Sequence, residues 1–165
     1  MPQLLWRFDT PAAVQGWSAI DDRVMGGVSR SRLRADAAGH AVFEGEVSLD
    51  RNGGFASVRS PNGWPGRAGA QACVIDVRGA ASTYKLSLFT DGAVDAVAYQ
   101  AEFTPTPENF SPLTLPLAGF EPRFRGRGVP GAPRLDPALI RQVGLMIAGR
   151  QVGPFALDIR SIALV

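Results

Sequence analysis

Short runs in which apolar and polar residues alternate, each bounded by turn residues, recur along almost the whole chain. A period of two puts successive side chains on opposite faces, so each run reads as a strand with one face to bury. HAVFEGEVSL (40–49) sets Phe43, Val47 and Leu49 against Glu44, Glu46 and Ser48. DRNGG (50–54) follows with an Asn-Gly turn, and GFASVRS (54–60) is expected to return as the second strand of a hairpin. LLWRF (4–8), ACVIDV (72–77), TYKLSLFT (83–90) and AVAYQAEF (96–103) continue the pattern, with Asp91-Gly92 in the turn between the last two. The 19 Gly and 13 Pro are scattered rather than periodic, as many short strands and turns require.

Two segments break the rhythm. In PFALDIRSIALV (154–165), Phe155, Leu157 and Ile159 share one face, and then the phase slips so that Ile162 and Leu164 fall on the other. A β-bulge near Arg160-Ser161 would return them to the core side; burial of the last residues on both faces would also account for them. LDPALIRQV (135–143) is the one helical candidate, with Asp136 to cap it and Pro137 in the first position. About ten short strands and one short helix predict an all-β fold, an antiparallel sandwich of two sheets roughly 10 Å apart. The 165 residues are expected to form a single domain, 1–165.

Composition excludes several classes. Hydrophobic content of 45% with 19% charged residues suits a folded chain. No stretch approaches ~20 apolar residues, so no membrane-spanning helix is expected. MPQLLWRFDT lacks the basic start and apolar core of a signal peptide, which makes the cytoplasm the expected location. Cys73 is the single cysteine, so no internal disulfide forms, and its place in QACVIDV predicts a small buried hydrophobe. Lys85 is the single lysine: sixteen of the seventeen basic residues are Arg, through either coding bias or a use for bidentate forks.

Catalytic apparatus is sparse. His40 is the single histidine and is expected as a solvated strand-end residue. One Cys and one His cannot close a zinc site, and no G-x-S-x-G elbow is present. Asp9, Asp21 and Asp22 are the nearest candidates for a hard cation, without EF-hand spacing, so no metal or cofactor is expected. GRGVPG (126–131) spells G-x-G-x-x-G, yet Pro130 and Pro133 stand where a nucleotide-binding helix would run, so it reads as an irregular loop. Arg123, Arg125 and Arg127 alternate in PRFRGRG and, if extended, project to one side, with Arg134 near in sequence. Such a comb could hold a small anion or an acidic protein surface, or be a solvated edge. Nucleic acid is disfavoured: Phe120 and Phe124 lie beside the comb as stacking aromatics would, but alternation equally makes Phe124 a core residue.

IDDRVMGGVSRS (20–31) obeys neither period. Gly26-Gly27 permits a sharp turn, and Asp21, Asp22 and Ser29 can bind nearby backbone N–H groups and hold it. The alternative is a surface rim offering those carboxylates, Met25 and the hydroxyl to a ligand.

WSAIDDRVMGGVS (17–29) resembles the signature of the complex I intermediate-associated protein 30 family. AVFEGEVSLDRNGGFASVRS (41–60), Tyr84, Tyr99, FRGRG (124–128), LDPALIRQVGLMI (135–147) and GPFALDIRSI (153–162) resemble its later blocks, with Phe110 where members often carry Trp. The resemblance implies a galactose-binding-domain-like jelly-roll β-sandwich and a non-enzymatic role as an assembly factor or chaperone; in size the chain resembles small bacterial members. The first functional expectation is therefore a module that recognises a protein partner, with the Asp21, Asp22, Met25, Gly26, Gly27, Ser29 loop, Arg59, Arg125 and Arg127 lining one surface. The second is a carbohydrate or small-metabolite binder using Trp6, Trp17 or Trp64, of which Trp64 in SPNGWPGR lies in a turn-rich loop. An enzyme would need Asp21 and Asp22 to act together, and adjacent residues of an extended segment point to opposite sides.

Overall fold

A computed structural model describes residues 3–21, 28–50, 54–63, 65–90, 97–124, 126–148 and 151–165. The alternation buries one side of nearly every strand, and two antiparallel sheets meet on those sides in a jelly-roll β-sandwich. The six-stranded sheet holds β1 (Gln3–Arg7), β3 (Arg30–Ala35), β4 (Ala41–Val47), β6 (Ala72–Gly79), β9 (Ser111–Pro116) and β13 (Gly153–Leu164). Its order is β3-β4-β13-β6-β9, with β1 also paired to β13. The seven-stranded sheet holds β2 (Ser18–Ala19), β5 (Ala56–Arg59), β7 (Tyr84–Phe89), β8 (Ala98–Phe103), β10 (Glu121–Phe124), β11 (Arg127–Gly128) and β12 (Gln142–Ile147), in the order β11-β10-β8-β7-β12-β5-β2. No described helix is long and apolar enough to cross a membrane.

The phase slip in β13 is a bulge. Its ladder to β6 shifts between Ile159 and Ser161, leaving Arg160 as the extra residue. The bulged residue's carbonyl accepts a hydrogen bond from Phe8 N–H at 2.8 Å. Ile162 and Leu164 thereby return to the core, both fully buried. Without the bulge these two side chains would face outward, at a cost of about 3–6 kcal/mol together. Ala163 is buried as well, so the end of the strand is covered on both faces. Along one side of β13, β4 pairs with its first part and β1 with its last part; β6 runs along the other side.

Three sequence expectations need correction. Residues 40–60 are not a hairpin: β4 pairs β3 and β13, whereas β5 pairs β2 and β12, so the chain crosses between sheets there. Alternation states which face is buried and is silent on which strand lies alongside; the Asn52-Gly53 turn lies outside the described residues. The helix expected over 135–143 is a single 3-10 turn, Pro137–Leu139, capped by Asp136, whose carboxylate accepts from Ala138 N–H at 3.0 Å. Gln142 onward is taken by β12, which is paired on both sides by β5 and β7, and ladder bonds there outweigh a short helix. His40 is buried rather than solvated, edge-on to Phe110 at 5.4 Å and with Nε2 3.5 Å from Asp158 Oδ1. β7 and β8 pair, and the Asp91-Gly92 turn between them lies outside the described residues.

At the centre, Phe43, Tyr84, Phe103 and Phe155 form an aromatic cluster, with Phe43 and Phe155 rings 4.9 Å apart. The Tyr84 hydroxyl is buried there without a hydrogen-bond partner among the described residues, and burial pushes its pKa up to about 12. Cys73 is fully buried, as expected, and burial raises its thiol to about 12.

Candidate binding face

Two polar side chains of the signature stretch, Asp21 and Ser29, are buried. Asp21 follows β2, at the flank where β3 of one sheet approaches β5 of the other. Its Oδ1 accepts from Ser57 N–H at 2.9 Å and from the Ser31 hydroxyl at 2.5 Å, and its Oδ2 accepts from Ser31 N–H at 3.1 Å. Ser31 belongs to β3 and Ser57 to β5, so one carboxylate ties the two sheets together. Ser29 mimics one more rung of the β3–β4 ladder: its Oγ accepts from Ser48 N–H at 2.9 Å and donates to Ser48 O at 3.2 Å. Both bonded networks are therefore sheltered from water. Asp22, Met25, Gly26 and Gly27 lie outside the described residues, as do Trp64 and Arg125.

Side chains that alternate with the core residues form the outer face of the seven-stranded sheet. On β8, Tyr99 and Phe103 face the core, which sends Gln100 and Glu102 outward. Likewise Lys85, Ser87 and Phe89 face out from β7, Gln142, Gly144 and Met146 from β12, and Ser57 and Arg59 from β5. Register then aligns them in rows: Glu121, Gln100, Ser87, Gly144, Arg59 and Ser18 form one, and Glu102, Lys85, Met146 and Ser57 the next. Gln100 Nε2 donates to Ser87 Oγ at 3.0 Å and lies 4.0 Å from Met146 Sδ, so the middle of the face is pre-ordered.

Gly144 makes room in this face. A Cβ there would lie 3.1 Å from Val58 O and 3.3 Å from the Phe89 ring. With no side chain in the way, Phe89 lies over the sheet, and Arg59 Cζ stacks 4.0 Å from its ring centroid. Burial lowers the Arg59 pKa, the expected response of a half-buried guanidinium. Beside them, Gln142 Nε2 donates to Ser60 O at 2.7 Å, while its buried Oε1 has no donor among the described residues.

The expected common surface is only partly assembled among the described residues. Arg59 and the Asp21 corner lie at the β5–β2 edge. Arg127 is exposed on β11 at the opposite edge, six strand spacings or ~29 Å from β2. The Arg comb is also folded on itself: β10 and β11 form a hairpin pairing Phe124 with Arg127, Gly126 turns it at φ +80°, and Arg123 pairs with Glu121 at 2.5 Å. GRGVPG is thus a turn, a two-residue strand and a loop, without a helix. Trp6 and Trp17, both half-buried, pack edge to face at 5.4 Å against the core, and Trp6 Nε1 donates to Ala13 O at 3.2 Å. Among the described residues no group of three or more His, Cys, Asp or Glu is placed to hold a metal ion.

Gln100, Ser87, Met146, Gln142 and Gly144 were not singled out from sequence. Their outward phase was readable, but their adjacency depends on strand order.

The family model described as Complex I intermediate-associated protein 30 matches residues 6–159. The chain belongs to this family. A curated relative, an uncharacterized protein of Schizosaccharomyces pombe, is 28% identical over 169 residues, covering 90% of this chain and 77% of that protein. Among solved structures, the family 11 carbohydrate-binding module of a cellulosomal cellulase of Clostridium thermocellum superposes with a TM-score of 0.70 at 16% identity, covering 100% of this chain and 94% of the module. The same family's module in complex with a β-1,3-1,4-mixed-linked tetrasaccharide gives 0.70 at 18% identity, covering 99% of this chain and 95% of the module. At such identities the likeness shows the β-sandwich fold alone.

Proposed function

We propose that this chain is a non-catalytic binding module that recognises a protein partner during assembly of a larger complex. We place the contact on the outer face of the seven-stranded sheet, beside the corner that Asp21 and Ser29 anchor. The observation that carries this reading is the pre-ordered row of Gln100, Ser87 and Met146 next to the Arg59–Phe89 stack. Ser87 and Phe89 are buried, so Gln100, Met146 and Arg59 are the side chains of this group that reach a partner; Met and Arg are enriched at protein interfaces, and a pre-ordered face loses little side-chain entropy on docking. Family membership supports the assembly role. Asp21 and Ser29 act as positioning residues in this scheme, while Asp22, Met25, Gly26, Gly27, Trp64, Arg125 and Arg127 are proposed contacts on sequence grounds alone.

The test is in-cell crosslinking and purification of the tagged chain at near-native expression, alongside a Met146→Glu, Gln100→Ala variant that keeps its thermal midpoint. A stoichiometric partner should accompany the wild type and be lost from the variant. Recovery of no partner, or equal recovery with the variant, overturns the proposal.

A second reading is a carbohydrate ligand, supported by the half-buried amide of Gln100 in that row and by the likeness in fold to a module solved with a tetrasaccharide. Glycan-array hits that disappear for Gln100→Ala would establish it, and an array without hits removes it.

A further inference from the structure

Tyr99 neighbours Gln100 but points the opposite way, into the flank of the sandwich, where a cavity of about 670 Å³ opens. It lies between β8 and β10 of one sheet, the 3-10 turn Leu117–Gly119 that follows β9 of the other, and the loop 131–137. Its walls include Tyr99, Leu117, Phe120 and Leu135. They are tied in place. The Tyr99 hydroxyl donates to Pro133 O at 2.6 Å, Leu117 N–H to Gln71 O at 2.9 Å, and Arg67 N–H to Pro137 O at 2.9 Å.

One charged side chain, Arg134, lines this cavity. It is exposed, and it makes no ion pair, hydrogen bond or ring contact among the described residues. The carboxylate nearest in sequence, Asp136, is engaged in capping Ala138 N–H. A largely apolar cleft of this size with one unpaired arginine among its lining residues matches a ligand with an apolar body and a single anionic head. A polyanion would leave charge uncompensated here, and a neutral apolar molecule would leave the guanidinium unused.

We propose that this cavity binds a small organic monocarboxylate with an aliphatic or aromatic body, the carboxylate pairing with Arg134. The site is separate from the outer face and does not depend on it.

The test uses the full chain with sodium decanoate and 1-decanol as a matched charged and neutral pair, followed by methyl NMR. Decanoate should shift the Leu117 and Leu135 methyl signals and bind at least about ten-fold tighter than decanol, the gain of one charge-assisted contact. Arg134→Gln, at an exposed side chain without partners, should remove that preference while keeping the spectrum of a folded chain. Leu135→Trp should fill the chamber and weaken both ligands. The proposal fails if decanoate leaves these methyls unmoved up to about 1 mM, the weakest binding worth a specific site. It also fails if Arg134→Gln keeps the preference, or if the shifts map to Met146 on the outer face.

Discussion

Replacing Asp21 tests the claim that one carboxylate joins the two sheets. Among the described residues it accepts from Ser31 N–H, the Ser31 hydroxyl and Ser57 N–H, and it is buried. Hydrogen bonds to a charged group contribute about 1.5–3 kcal/mol each, and stranded buried donors cost about 1–3 kcal/mol each, terms that overlap rather than add. Asp21→Ala strands two backbone N–H groups, so a loss of about 3–5 kcal/mol is expected. Asp21→Asn can keep its oxygen at the Oδ1 position, serving Ser57 N–H and the Ser31 hydroxyl. Its amide nitrogen would then face Ser31 N–H, donor against donor, for a loss of about 1.5–3 kcal/mol. At roughly 2–4 °C per kcal/mol for a chain of this size, the alanine variant should melt about 6–20 °C below wild type. Urea unfolding at neutral pH measures both, with unchanged m-values showing that stability rather than compactness has moved. The reasoning is refuted if both variants fall within about 0.5 kcal/mol of wild type, or if Asn is worse than Ala.

Other expectations follow from buried or paired groups. Tyr84→Phe removes a buried hydroxyl that has no partner among the described residues and should stabilise the chain by about 1 kcal/mol in urea unfolding; a loss of that size would contradict the unpaired hydroxyl. Cys73, with its thiol raised to about 12, should resist a disulfide reagent at neutral pH in the folded chain and react at once in denaturant; a fast native reaction would contradict its burial. Asp36 is held below its ordinary 3.8 by the Ala38 N–H and then by Arg34. At Glu44 burial pushes upward, but the hydrogen bonds from Arg32 and Arg34 outweigh it and the net shift from 4.5 is down. Both carboxyls bind protons more readily when unfolded. Their contribution is therefore complete above the ordinary values and is lost as pH falls through the lowered, folded ones. Arg34→Gln should flatten the fall of the urea midpoint below about pH 4, and an unchanged acid limb would argue against these pairings.

Much of the fold was legible because burial follows a period of two. The Phe155, Leu157, Ile159 run and the slip at Arg160 marked where the strand is irregular, and the β6 ladder decides that it is a bulge. Strand partners were not legible. The 40–49 and 54–60 segments look like a hairpin because each alternates and an Asn-Gly lies between them, yet their ladders form with strands far away in the chain. The 3-10 turn was legible at its start, in Asp136 and Pro137, but not its early end, which the β12 pairings impose. Of the candidate site, the hydrogen-bonding demand of Asp21 and Ser29 was readable from residue type. The outer-face row was not, because Gln100, Ser87, Gly144 and Arg59 come together only once β8, β7, β12 and β5 are placed side by side.

The twelve residues of β13 have a consequence for how the molecule is made. They emerge from the ribosome after every strand they bridge. Until then, β4 and β6 each present an open edge on the side β13 will occupy, and β1 has no ladder at all. Vectorial synthesis therefore leaves one layer of the sandwich unfinished until the closing segment arrives, and a chain halted before residue 153 would expose those edges to any neighbouring strand.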